Sequence, residues 1–225
     1  MPTLNSLQKD IIHCKKCPRL VGWREEIAIT KVRRFSDEQY WGKPVPGFGD
    51  PNAEILLIGL APAAHGANRT GRMFTGDESG NWLFKALHKA GFANKNISEH
   101  RNDGLTLNNV YITATCRCAP PKNKPTKDEI QNCRSFILEE ILLLKNLRVI
   151  IGLGKIGFDA AFDCAKESGL TELKSRPKFS HGVIAHLNGN LILIGSYHPS
   201  QQNTFTGKLT EPMFNSVFRK AKTNL

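Results

Sequence analysis

Residues 53–60, AEILLIGL, form a short apolar run ending near a glycine, and residues 61–77, APAAHGANRTGRMFTGD, follow it with no helical spacing of apolar positions. A run this short, rich in Ile and Leu and bounded by turn residues, reads as a buried strand. Asn109–Ala114 (NVYITA), Leu147–Leu153 (LRVIIGL) and Asn190–Tyr197 (NLILIGSY) read the same way. Between the runs lie segments with helical spacing: Gly80–Ala90, Thr126–Lys145, Ile156–Lys166 and Pro212–Ala221. The longest opens with Thr126-Lys-Asp-Glu129, a capping box in which hydroxyl and carboxylate satisfy the orphan amides of the first turn. Strands alternating with helices predict an α/β fold, one domain with a mostly parallel central sheet sandwiched by helices. Ligands of such sheets bind beyond the carboxyl ends of the strands, so the loops after Leu60, Ala114 and Tyr197 are expected to share one crevice. Lys31–Asp50 and Ser168–Ser180 read as surface excursions.

The chain has 225 residues, within the range of a single large α/β domain, with 40% hydrophobic and 23% charged residues. That composition fits a globular protein rather than a disordered one. Lys and Arg number 31 against 20 Asp and Glu, a formal charge of +11, which favours a polyanionic partner through counterion release. No apolar run approaches membrane-span length, and MPTLNSLQKD lacks the basic and apolar regions of a signal peptide, so the expectation is a cytoplasmic protein with no membrane partner. Six cysteines, two of them in a CxxC, fit reduced thiols or metal ligands better than a disulfide scaffold.

The loop from Gly59 to Asp77 carries neither GxxxxGK[ST] nor GxGxxG, which disfavours nucleotide binding of those two kinds. A structureless loop this long is usually functional. Phe74, close to the lone acid Asp77, offers an aromatic face for a base beside a carboxylate that holds a water. The plainer alternative is that Phe74 fills the core and Asp77 caps a helix beginning near Ser79. The last strand runs into His198-Pro199-Ser200, where a histidine stiffened by proline is placed to donate to a developing anion. The polar tail Ser200–Thr204, with Gly207-Lys208 beyond, suits phosphate and sugar contacts, or is a surface turn.

Cys14-Lys-Lys-Cys17 is a chelating unit, and Cys118 and Cys133 supply a second pair. Cys116 competes with Cys118, because strand alternation sends both to one face. Cys164, on the apolar face with Ala160 and Ala161, reads as core packing. Ligand type alone leaves zinc and a [4Fe–4S] cluster open.

These residues together resemble the uracil-DNA glycosylase superfamily, in its iron–sulfur branch and nearest to family 5, the type b enzymes. The resemblance spans most of the chain: the paired N-terminal cysteines, Gly59-Leu-Ala-Pro-Ala63, Asn68-Arg-Thr-Gly-Arg-Met-Phe-Thr-Gly-Asp77, Val110-Tyr-Ile-Thr113, Cys118-Ala-Pro-Pro121 with Cys133, and His198-Pro-Ser200 with Asn203-Thr-Phe-Thr-Gly207. It implies one glycosylase-like domain over residues 1–225, including an N-terminal segment that helps hold a [4Fe–4S] cluster on Cys14, Cys17, Cys118 and Cys133. It implies that Phe74 stacks on a flipped base, His198 contacts the base's O2 carbonyl, Asp77 positions the water and Asn123 helps hold it near the sugar. Gly59, Ala61, Ala114 and Ser200 fall on substrate-binding positions. Other branches carry a polar or acidic residue in the first motif, where this chain has Leu60, Ala61 and Ala63. The related iron–sulfur branch has a uracil-reading asparagine where Ala114 stands, so the resemblance implies a roomier pocket, with hypoxanthine and xanthine as further substrates.

The expected activity is therefore hydrolytic excision of uracil and other deaminated bases by a monofunctional glycosylase, leaving an abasic site. The expected enzyme is a monomer acting on double- and single-stranded DNA. The base must first leave the stack, at a cost of a few kcal/mol. The tail after His198 is expected to wedge into the vacated space, through Gln202 or Phe205. A non-catalytic, metal-stabilised nucleic-acid-binding protein is the alternative; it would share the charge and the CxxC without needing Asp77 and His198 at strand ends. An electron-transfer protein is a third class, and it needs no basic surface.

Overall fold

A computed structural model describes residues 2–225 of the chain. The helices are α1 (Leu4–Ile12), α2 (Pro18–Thr30), α3 (Ala67–Thr70), α4 (Glu78–Ala90), α5 (Lys127–Leu143), α6 (Gly154–Glu167), α7 (Gln201–Phe205) and α8 (Glu211–Lys222). The strands are β1 (Phe48–Gly49), β2 (Ile55–Gly59), β3 (Val110–Ala114), β4 (Val149–Leu153), β5 (Ile184–His186) and β6 (Ile192–Ser196). The sheet order is β1-β3-β2-β4-β6-β5; the four central strands are parallel, and β1 and β5 are antiparallel edges.

Burial on both faces explains why the central strands are continuous apolar runs rather than alternating ones. One face, with Leu57, Ile112, Ile151 and Ile194, packs on α4 and α8. The other, with Leu56, Ile58, Ile150 and Leu193, packs on α5 and α6, and Cys164 lies in that layer. The expected strands and long helices are all present, and the Thr126–Glu129 capping box opens α5. Helices α1 and α2 add an N-terminal layer, with Leu7 and Ile11 of α1 seated against Phe136.

Residues 168–180 are mostly exposed, whereas the excursion expected at Lys31–Asp50 is corrected in its second half. Tyr40, Gly42, Pro44, Val45, Pro46 and Gly47 are buried. Val45 N–H donates to Arg117 O at 2.7 Å, and a Cβ on Gly47 would stand 2.4 Å from the Tyr111 ring. The segment is threaded through the protein, and its prolines suit a path that offers few backbone donors. Among the described residues no helix is long and apolar enough to cross a membrane.

Candidate active site

In the sheet, β2 is flanked by β3 on one side and β4 on the other, so the chain reverses its direction of travel at β2. The crevice outside such a reversal is where open α/β sheets bind ligands. Gly59 and Ala114 are register partners at the carboxyl ends of β2 and β3. Thr115 N–H and Oγ1 both donate to Gly59 O, at 2.9 and 2.8 Å, and Cys116 N–H donates to Leu60 O at 2.9 Å, which ties the two loops together. Ala114 is buried and Ala61 half-buried.

Phe74 sits at φ 54°, a left-handed conformation unusual for an aromatic residue. Its surroundings over-determine it. Thr75 Oγ1 and Ser98 Oγ lie 2.7 Å apart, and Arg72 bonds Thr75 Oγ1, Ser98 Oγ and both carboxylate oxygens of Asp103. The Phe74 ring lies over Gly59, where an added Cβ would be 2.9 Å from Cζ. It also faces the His198 ring, with centroids 5.9 Å apart and planes 28° from parallel. The loops after β2 and β6 thus meet.

His198 is half-buried, and burial pushes its pKa down to about 4, so the imidazole is neutral at physiological pH. Its ring nitrogens have no hydrogen-bond partner among the described residues, while Asn203 Nδ2 donates to its backbone O at 2.9 Å. A neutral imidazole keeps one N–H with which it can donate to an incoming group. Ser200 is the N-cap residue of α7 with its hydroxyl free of a cap bond, and Phe205 at the end of α7 is 76% exposed.

Asp77 caps α4: its Oδ1 accepts from Gly80 N–H at 2.9 Å. Its Oδ2 lies against Gly66, whose added Cβ would be 2.2 Å away. Burial raises the Asp77 pKa, opposed by the Gly80 and Ser79 amides and by Arg69. The capping alternative is therefore realised, through one carboxylate oxygen. Asn123 lies on an exposed turn at φ 54° after β3, and none of its side-chain atoms bonds to the protein. Arg69 stands in the same loop, and the sequence pattern assigns it no role. It donates to His65 O at 2.8 Å and Gly76 O at 3.2 Å, pairs with Glu38, and so fastens the loop on both sides of Asp77's approach.

Cys14, Cys17, Cys118 and Cys133 face one small pocket, together with Arg24, Arg117 and Asn132. Cys116 does not line it; its buried thiol donates to Cys133, raising its own pKa and lowering that of Cys133. Arg24 Nη1 donates to Cys118 Sγ at 2.9 Å, and Asn132 Nδ2 to Cys17 Sγ at 3.5 Å. Among the described residues no His, Cys, Asp and Glu side chains are grouped so as to hold a metal ion. Arg24 Nε and Arg117 Nε and Nη1 are buried without partners, although Arg117 pairs with Glu140 at 2.6 Å. Unpartnered buried guanidinium donors are costly, and an anionic group in the pocket would relieve them. Arg24 was not anticipated, yet Cys17, Leu20 and Arg24 fall on one face of a helix that begins just after the CxxC. Cys118 lies in the loop after β3, one of the loops that border the crevice.

Residues 46–222 match the family model described as the uracil DNA glycosylase superfamily. The chain belongs to the uracil-DNA glycosylase superfamily. Within the superfamily it is 51% identical over 209 residues to the type-5 uracil-DNA glycosylase of Thermus thermophilus, covering 93% of this chain and 92% of the relative. It is 50% identical over 210 residues to that of Mycobacterium tuberculosis, covering 93% of this chain and 77% of the relative. A type-4 uracil-DNA glycosylase of Sulfurisphaera tokodaii is 28% identical over 201 residues, 89% of this chain and 76% of the relative. The superfamily member described here therefore sides with family 5, as its motifs imply.

Proposed function

We propose that this chain excises uracil, and with it other deaminated bases such as hypoxanthine and xanthine, from DNA as a monofunctional glycosylase. The observation that carries the reading is the meeting of Phe74 and His198 at the carboxyl ends of the strands, with ring centroids 5.9 Å apart. The relatives' printed names support the uracil activity.

Hydrolysis breaks the bond between the base nitrogen and the sugar's anomeric carbon. The electron pair leaves with the base, water adds its oxygen to the anomeric carbon, and the water's proton is released to the base or to solvent. Negative charge on the leaving base calls for a donor, and neutral His198 supplies one. Phe74 provides the stacking surface for the extruded base. Asp77 Oδ2 orients the water while Oδ1 holds the cap, and exposed Asn123 comes near the sugar when DNA binds. Ala61 and Ser200 border the pocket. Ala114 places a methyl where an amide would read one base edge, which favours breadth over selectivity.

We assign the cysteine pocket to a [4Fe–4S] cluster, as the family resemblance implies; its negative charge would suit the unpartnered buried donors of Arg24 and Arg117. Cys14, Cys17, Cys118 and Cys133 would hold the cluster, which would cross-link the α1–α2 turn, the β3 loop and α5. Release of free base from a uracil-containing oligonucleotide tests the activity; binding without release would favour the non-catalytic reading. Elemental analysis tests the cluster: iron is expected, lost in Cys118→Ala and retained in Cys116→Ala.

A further inference from the structure

Two cation–aromatic stacks flank the Gly59–Asp77 loop, and the catalytic reading uses neither. In the first, the Arg34 and Arg69 guanidiniums lie 4.2 and 3.8 Å from the centroid of Phe35. In the second, Arg101 and Lys43 lie 4.6 and 5.6 Å from the centroid of Trp41. Both are fixed to the loop. Trp41 N–H donates to Arg69 O at 2.8 Å, Gly42 N–H donates to Asn68 O at 3.0 Å, and an added Cβ on Gly71 would stand 2.8 Å from Trp41 Cδ2.

The charges divide by role. Arg69 is buried, pairs with Glu38 and bonds two carbonyls, so its capacity is spent inside the protein. Arg34, Lys43 and Arg101 are exposed, join no ion pair among the described residues, and have no side-chain hydrogen bonds. Stacking restrains long cationic side chains that would otherwise be mobile, and so lowers the entropy cost of a later contact. The nearby acid Asp37 is exposed and accepts from Ser36 Oγ at 3.3 Å.

We propose that Arg34, Lys43 and Arg101 form a phosphate-binding ledge that holds the DNA backbone beside the crevice. This rests on DNA being the substrate. The ledge adds affinity and register but no base selectivity, because phosphate contacts carry none.

The test is the salt dependence of binding to an undamaged labelled duplex, which needs no excision. Each lost phosphate contact lowers the slope of log K against log salt by about 0.9. Arg34→Gln/Lys43→Gln/Arg101→Gln is expected to lower it by between about 2 and 3, with melting temperature and saturating single-turnover excision unchanged. Lys145→Gln, at the amino-terminal end of the strands, is expected to leave it unchanged. Single variants, each changing one exposed side chain, are expected to give steps of about one if the triple variant folds poorly. A wild-type slope in these variants, or an equal loss in Lys145→Gln, overturns the ledge. A wild-type protein that shows the slope but releases no base leaves the ledge standing and overturns the enzymatic reading instead.

Discussion

The carbonyl oxygen of Phe74 fills the space a side chain at Gly80 would need: an added Cβ there would stand 1.8 Å from it. Gly80 lies in the first turn of α4, so alanine would ordinarily stabilise the helix, by up to about 1 kcal/mol. Gly80→Ala is instead expected to lower the melting temperature and to slow base release by displacing Phe74 from its left-handed conformation. Thermal denaturation decides the sign; a raised melting temperature with normal excision would mean that Phe74 is not held in this way.

His198→Ala is expected to cut single-turnover base release by roughly 10²–10³-fold, the value of one anion-stabilising donor, while DNA binding persists through the basic surface. The wild-type imidazole stays neutral down to about pH 4, below its ordinary 6.5. Its lowered folded-state pKa means that stability is lost as pH falls through the interval between these values, because the unfolded chain takes up a proton that the folded one resists. Denaturation of wild type and His198→Ala between pH 7 and pH 4 measures it, with the smaller loss expected in the variant.

Asp77 separates two roles by two substitutions. Asn caps helices as well as Asp does, so Asp77→Asn keeps the bond to Gly80 N–H but removes the carboxylate charge. The folded-state pKa is raised, so this group's stabilising contribution is present at low pH and is lost as pH rises through the folded-state value. At neutral pH Asp77→Asn is therefore expected to melt no lower than wild type, yet to slow excision of uracil and hypoxanthine by a similar factor. Asp77→Ala is expected to lose the cap as well, at about 1 kcal/mol. Full excision by Asp77→Asn would leave Asp77 a cap alone and turn attention to Asn123.

Ala114→Asn is expected to shift preference toward uracil over hypoxanthine, since a placed amide rewards one edge pattern and leaves the other unpaired. Ala114 is buried at the end of β3, so the larger side chain must enter the crevice or disturb the core. The ratio of single-turnover rates on the two duplexes reads the outcome. An unchanged ratio in a folded variant would remove Ala114 from base selection.

The sheet was legible because both its faces are covered: Ile55–Gly59 and Ile192–Ser196 are buried throughout, and their unbroken Ile and Leu runs stand out from any neighbouring pattern. Thr126 and Glu129 marked α5 because a capping box is local chemistry. Residues 40–47 were misread because prolines and glycines that signal a surface turn also suit a chain threaded beside Tyr111 and Arg117, and only tertiary contacts distinguish the two. Phe74, Asp77 and His198 were visible as unusual residues after strands. The arginines that support the loop and the cysteine pocket were not: Arg69, Arg72 and Arg24 act through long side chains reaching distant segments, as Arg24 does in bonding Cys118 across 94 positions of sequence. A guanidinium's target leaves no periodic trace.

The central claim is that the loops joined by Phe74 and His198 cleave an N-glycosidic bond. Single-turnover release of free base from a duplex carrying one uracil, measured with the purified protein in excess, tests it most directly. Stoichiometric release of uracil, with an abasic site left in an otherwise intact strand, is the expected result. Tight binding of that duplex with no free uracil, under conditions where the protein is folded, would contradict it.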